Sequence, residues 1–248
     1  MLGIIGGSGF YNAGYAENIR HLEMVTEYSD VAVPIELIET DKPFAFLARH
    51  GKDHHIPPHE INFRANIDAL RQAGVTEIVA INAVGGIAEG TGPGSIIIPD
   101  QLIDYTWDRH STFCGQSKRF VQHVDFSFPF DQALSDKLVS AVNAINNQSG
   151  AARPVMAGGV YGVTQGPRLE TAAEIKKMRR DGCDIVGMTA MPEAALAREA
   201  SINYALIALS VNWAAGILPS EVTMDEIKAV LADGHQFLRR VIARIIDV

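Results

Sequence analysis

The sequence predicts an α/β fold: a single domain with a twisted, largely parallel central sheet flanked by helices. Three observations carry the prediction. Short apolar runs alternate with segments of helical period along the whole chain. A mean hydropathy of +0.07 favours a sheet buried on both faces, or an oligomer interface. Glycine-rich loops follow several strand candidates, at the strand ends where parallel sheets bind ligands. No linker, repeat or low-complexity tract interrupts residues 1–248, which are therefore read as one domain.

The elements follow in order. Leu2 to Ile5 is an apolar strand running into the turn Gly6-Gly7-Ser8-Gly9. Val31 to Ile38 and Phe44 to Leu47 are strands separated by Thr40-Asp41-Lys42-Pro43, and a His- and Pro-rich loop spans Arg49 to His59. Asn62 to Ala73 has helical period and stops at Gly74, a glycine suited to the position after a helix end. Glu77 to Ile81 is a buried strand leading into Asn82-Ala83-Val84-Gly85-Gly86, and Gly92-Pro93-Gly94 turns into the strand Ser95 to Ile98. Tyr105 to Asp125 has no clean period and predicts an irregular excursion. Helices are predicted for Asp131 to Asn147, Thr171 to Asp181, Pro192 to Ala200 and Thr223 to Ile246. Strands are predicted for Val155 to Val163, Ile185 to Val186 and Ile202 to Val211.

Composition excludes several classes. A net charge of −8 argues against nucleic acid as the main partner, because phosphate contacts need clustered Lys and Arg. No run approaches the roughly 20 apolar residues of a membrane helix, and the N-terminus has no signal-peptide pattern. Cys114 and Cys183 form neither a disulfide framework nor a metal knuckle, and suit free thiols in a reducing cytoplasm. His54, His55 and His59 lie in a Pro-rich loop without a carboxylate or Cys partner, so no metal is expected.

Four strand ends carry groups compatible with an anion. Gly6-Gly7-Ser8-Gly9 fails both the dinucleotide and the P-loop spacings, and leaves a tight turn whose N–H groups and Ser8 hydroxyl suit one anion, or an ordinary turn. Arg49 and His50 end a strand, and Arg suits bidentate phosphate contact. Asn82 to Gly86 reads as a second backbone nest, and Met188-Thr189 adds a hydroxyl. Asn212 ends a strand. A carboxamide there matches the O6 and protonated N7 of a 6-oxopurine, although Asn is also a common turn residue. Glu170, beside Leu169, is either a helix-start carboxylate or an acceptor for purine N1–H. Leu169 suits packing on a ring face. No Ser-His-Asp elbow, zinc motif or Cys-His signature supports covalent catalysis.

Together these segments resemble the trimeric purine nucleoside phosphorylases, most closely the methylthioadenosine phosphorylase branch. The resemblance runs through Gly3 to Gly9, Leu47 to Gly51, Asn62 to Leu70, Asn82 to Ile87, Gln165 to Thr171, Met188 to Glu193 and the strand ending at Asn212. It implies a nucleoside phosphorylase fold, a homotrimer, and phosphate as cosubstrate with no metal or organic cofactor. By matching position it assigns Ser8, Arg49, His50, Asn82, Ala83 and Thr189 to phosphate, with Arg49 and His50 orienting and charge-balancing the anion. It places Met188 under the ribose and lends His123 to a neighbouring subunit's site.

Two departures set the expected substrate. The methylthioadenosine enzymes carry Asp at the positions of Asn212 and Ala214 and Ser at that of Glu170, whereas their inosine- and guanosine-cleaving relatives pair Glu with Asn. Val222, Met224 and Ile227 make an apolar 5′ wall where those relatives place a His, unless the three are ordinary core residues. The expected substrate is therefore 5′-methylthioinosine, with Asn212 and His50 as the catalytic pair. The alternatives are a methylthioadenosine phosphorylase with a degenerate base pocket, a broader 6-oxopurine phosphorylase, a hydrolase and a non-catalytic nucleoside or phosphate sensor.

Overall fold

In chain order the elements are β1 (Leu2–Gly6), β2 (Ile19–Thr26), β3 (Ser29–Ile38), β4 (Phe44–Ala48), α1 (Phe63–Gln72), β5 (Glu77–Gly86), β6 (Ile96–Ile98), β7 (Gln101–Asp104), α2 (Gln132–Gln148), β8 (Val155–Ala157), β9 (Val160–Val163), α3 (Ala172–Arg180), β10 (Ile185–Gly187), α4 (Ala190–Glu199), β11 (Asn203–Trp213) and α5 (Met224–Asp247). They come from a computed structural model that describes residues 1–7, 18–115, 121–148, 152–219 and 223–247.

The sheet is buried on both faces, and the sequence divides its apolar residues between them with period two. On β5 and β11, Ile78, Ala80, Leu206 and Ala208 face one core with Ile67 and Leu70 of α1 and Ala194 and Leu196 of α4. The intervening Val79, Ile81, Ala205, Ile207 and Leu209 face the other, with Leu138 of α2 and Leu238 and Val241 of α5. Helix ends follow local chemistry. Asn62 caps α1 by accepting from Ala65 N–H, and Thr171 and Glu174 form a capping box on α3.

One sheet runs β2-β3-β4-β1-β5-β10-β9-β7, with β11, β6 and β8 branching from β5. The core pairs β4–β1, β1–β5 and β5–β11 are parallel, so their carboxyl ends lie together. β1 pairs with β5 as far as Ala80, and β10 takes up pairing at Gly85. Between those two points, residues 81–84 carry neither pairing, and the sheet opens.

Three expectations change. Asn82 to Gly86 is no backbone nest at a strand end: β5 runs through Gly86, and β11 pairs with it along that length. The run Val155 to Val163 is two strands. Gly158 and Gly159 adopt positive φ and turn the chain from β6 to the opposite wing beside β10 and β7. β2 and β7 were not anticipated, because their polar residues obscure the pattern. The described parts of Tyr105 to Asp125 contain neither helix nor strand, as expected.

Candidate active site

A cavity of about 440 Å³ sits at the opening beside β5, walled by the ends of β4, β5, β10 and β11 and closed above by Met224 and Ile227 of α5. It gathers Arg49, His50, Asn82, Ala83, Leu169, Glu170, Met188, Thr189, Asn212, Ala214, Met224 and Ile227. These twelve residues come from six stretches of sequence; the fold supplies their proximity. Ser8 and Val222 lie outside the described residues. His123 is exposed and does not line the cavity of its own chain. A larger space of about 750 Å³ at the opposite strand ends is lined by Leu2, Phe44, Leu134 and Ile246 and gathers none of these groups.

The floor is a buried polar network. Arg49, 1% exposed, donates from Nε to Glu193 Oε2 at 2.6 Å and from Nη2 to Glu193 Oε1 at 2.7 Å. Tyr204 Oη donates to the same Oε1 at 2.8 Å. Nη2 also reaches Asn82 Oδ1 at 3.1 Å, and Nη1 reaches the Ile81 carbonyl at 3.2 Å, in the unpaired stretch of β5. Burial opposes the charge on Arg49, and Glu193 more than offsets it, leaving the guanidinium pKa above its ordinary value. The fork is thus spent on Glu193 instead of being left for bidentate phosphate contact, and the pair brings no net charge to the floor. The remaining corner, Nη1, faces Gly7. A Cβ on Gly7 would sit 3.2 Å from Nη1 and collide with the Ile81 carbonyl, so the turn passes here only as glycine.

Asn82 extends the network. Its Nδ2 donates to Thr189 Oγ1 at 2.8 Å and to Tyr161 Oη at 3.2 Å. With Oδ1 taken by Arg49, the carboxamide is engaged inward, and it aims the Thr189 hydroxyl. A hydroxyl that accepts from Asn82 keeps its own proton to donate to a ligand. Burial pushes Tyr161 up to about 12 and Tyr204 well above its usual value, so both phenols stay protonated.

His50 differs from expectation. Burial, then the charge of Arg49, lowers its pKa to about 4, so without an anion beside it the ring is neutral at pH 7. Its Nδ1 lies 2.8 Å from the Ile56 carbonyl, which can only accept. Nδ1 therefore carries the proton, and Nε2 presents a lone pair. The ring packs on His54, 4.4 Å between centroids.

The opposite wall carries the residues that the sequence leads one to expect at a purine base. Asn212 lies within β11 at a register shift between Ser210 and Asn212, a bulge that re-aims its side chain. This replaces the reading of a strand-ending turn. Its Nδ2 donates to the Trp213 carbonyl at 2.7 Å, which fixes the amide while a second N–H and Oδ1 remain. Glu170 precedes the N-cap of α3 and accepts from Thr164 Oγ1 at 2.6 Å through Oε1. Leu169 is 47% exposed beside it. Met188 is held against Gly166, whose φ of +62° and 2.5 Å approach of a Cβ to Met188 Sδ exclude a side chain there. Ile227 is buried, whereas Met224 is 60% exposed.

Sequence reasoning missed Glu193, Tyr161, Tyr204, Thr164 and Arg109. Glu193 leaves a signal, a carboxylate inside the apolar run Ala190 to Ala197, and a charge there needs a partner. Arg109 directs its guanidinium to the carbonyls of Met188, Met191, Thr164 and Gln165 and to Gln165 Oε1, tying two cavity walls together from the irregular excursion. Among the described residues no cluster of three or more His, Cys, Asp or Glu is arranged to hold a metal. No described helix is long and apolar enough to cross a membrane.

Residues 1–247 match the family model described as "Phosphorylase superfamily". A Xanthomonas campestris protein named "Probable S-methyl-5'-thioinosine phosphorylase" is 49% identical over 91% of this chain and 89% of its own. The "6-oxopurine nucleoside phosphorylase" of Pyrococcus furiosus is 42% identical over 91% of this chain and 84% of its own. A solved methylthioadenosine phosphorylase from Schistosoma mansoni, in complex with adenine, superposes with a TM-score of 0.91 at 30% identity, covering 99% of this chain and 90% of that one.

Proposed function

The chain belongs to the phosphorylase superfamily, and on that premise we propose that it cleaves 5′-methylthioinosine with inorganic phosphate, giving hypoxanthine and 5-methylthioribose 1-phosphate. One observation carries the choice of substrate: Glu170 and Asn212 line the same cavity as the apolar Met224 and Ile227. The first pair matches the N1–H, O6 and N7 edge of a 6-oxopurine. The second pair suits a methylthio group and leaves a 5′-hydroxyl without a partner. The bacterial relatives at 46–49% identity carry the corresponding name.

The reaction loosens the glycosidic bond, with positive charge developing at C1′ of the sugar. Phosphate, held by Thr189, Arg49 Nη1 and the turn at Gly7 and Ser8, stabilises that charge and captures the carbon from below. Asn212 stabilises the departing purine at N7 and O6, and Glu170 fixes N1. Neutral His50 offers Nε2 as an acceptor to a phosphate hydroxyl. No covalent enzyme intermediate is needed, and neither is a metal or organic cofactor.

Residues 1–248 form one functional unit, supported by a single family match and by one sheet containing all the described strands. The unit works in the cytoplasm as a homotrimer, with the exposed His123 serving a neighbouring subunit's site. A broader 6-oxopurine phosphorylase is the second reading, favoured by the exposure of Met224, which leaves the 5′ wall incompletely covered within one chain. The test is hypoxanthine release from 5′-methylthioinosine with and without phosphate. Release in phosphate alone supports phosphorolysis, and equal release without it indicates a hydrolase.

A further inference from the structure

Glu170 forms the partition between two spaces. It lines the substrate cavity on one side and, on the other, an outer recess of about 330 Å³ that also holds Thr164, Trp107, Arg168 and Lys177. The recess also holds Glu174, which takes up the Arg168 guanidinium at 2.7 and 2.9 Å, so its excess positive charge is that of Lys177, and a carboxylate on a short flexible stem is drawn toward it. Thr164 opposes that pull. Its Oγ1 donates to Glu170 Oε1 at 2.6 Å, and the alternative acceptor, the Gly187 carbonyl, lies farther away at 3.3 Å. A hydroxyl has one proton, so the short contact takes it.

Thr164 is itself fixed by backbone. Its N–H donates to the Gly187 carbonyl at 2.8 Å, and its carbonyl accepts from Arg109 Nη2 at 3.3 Å. The hydroxyl that orients Glu170 is thus anchored to the end of β10, which leads directly into Met188 on the sugar side of the cavity.

We infer that Thr164, which does not line the substrate cavity, is a specificity-determining positioning residue: its hydrogen bond pins Glu170 Oε1 and leaves Oε2 as a fixed acceptor for purine N1–H. The inference rests on the 6-oxopurine reading of the site. A pinned acceptor rewards a base with N1–H and opposes a 6-aminopurine, whose N1 is itself an acceptor. A released carboxylate can swing into the recess and leave N1 of either base to water. Losing the hydroxyl therefore weakens discrimination more than it weakens turnover in general.

The experiment compares kcat/KM for 5′-methylthioinosine and 5′-methylthioadenosine in the wild type, Thr164→Val and Thr164→Ser. The preference for the 6-oxopurine should fall by about tenfold or more in the valine variant, mainly through KM, as expected for loss of a hydrogen bond to a charged group. Serine should restore it to near the wild-type ratio. Thr164→Cys, a weaker donor, provides a second series if the valine variant folds poorly. A wild type that discriminates and a valine variant that loses both substrates equally would leave Thr164 a packing residue and overturn this inference alone. A wild type with no preference would overturn the 6-oxopurine reading, and this inference with it.

Discussion

At the scale of single residues, the site depends on which protons are held. His50 donates through Nδ1 and is kept neutral, its pKa lowered from 6.5 to about 4 by burial and by Arg49. The sign of the consequence for stability is fixed. Between pH 6.5 and about 4 the unfolded chain takes up a proton that the folded chain refuses. The stabilising contribution is complete above pH 6.5 and is lost as pH falls toward 4. The loss amounts to about 3 kcal/mol at most. His50→Asn, which keeps a donor for the Ile56 carbonyl, should flatten the fall of Tm between pH 6.5 and 4. An unchanged slope would place that acid sensitivity elsewhere.

At the scale of elements, α4 brings the counter-charge of the floor. Glu193 lies on its first turn and receives Arg49 and Tyr204. Glu193→Gln leaves the guanidinium half paired in a dry site, which should cost about 3 kcal/mol of stability. It should also raise KM for phosphate more than KM for nucleoside, because Arg49 Nη1 loses its fixed place. Thermal melts and a two-substrate kinetic matrix check both, and equal changes in the two KM values would contradict the positioning role. Much at this scale was legible in the sequence. The apolar runs of β1, β4, β5 and β11 are the continuous runs of strands buried on both faces, and Asn62, Gly74 and Thr171 mark helix ends. The opening between β1 and β10 was not, because it arises from where two pairings stop along β5. Nor was the bulge at Asn212, which depends on register with β5 and not on local composition. The Arg49–Glu193 pair spans 144 residues, a separation at which local spacing carries no information. Asn212 and Thr189 were readable because polar groups beside apolar strands demand a partner, and Glu170 because it follows Gly166-Pro167 at a helix start.

At the scale of the whole molecule, two helical layers bury both sheet faces and leave function to the loops at one end. His123 is exposed and outside the cavity of its own chain, and the proposed homotrimer assigns it to a second copy's site. If so, His123→Ala and Asn212→Ala chains, each impaired alone, should regain activity when denatured together and refolded as a mixture. In an equal mixture about one site in four would then hold both native side chains. No gain on mixing would confine each site to its own chain. The central claim concerns the substrate and is tested most directly by measuring kcat/KM for 5′-methylthioinosine, 5′-methylthioadenosine and inosine on one preparation at saturating phosphate. The geometry of Glu170, Asn212 and Ile227 predicts that methylthioinosine leads both rivals by at least about tenfold. Preference for methylthioadenosine would contradict the base reading, and equal use of inosine would contradict the apolar 5′ wall.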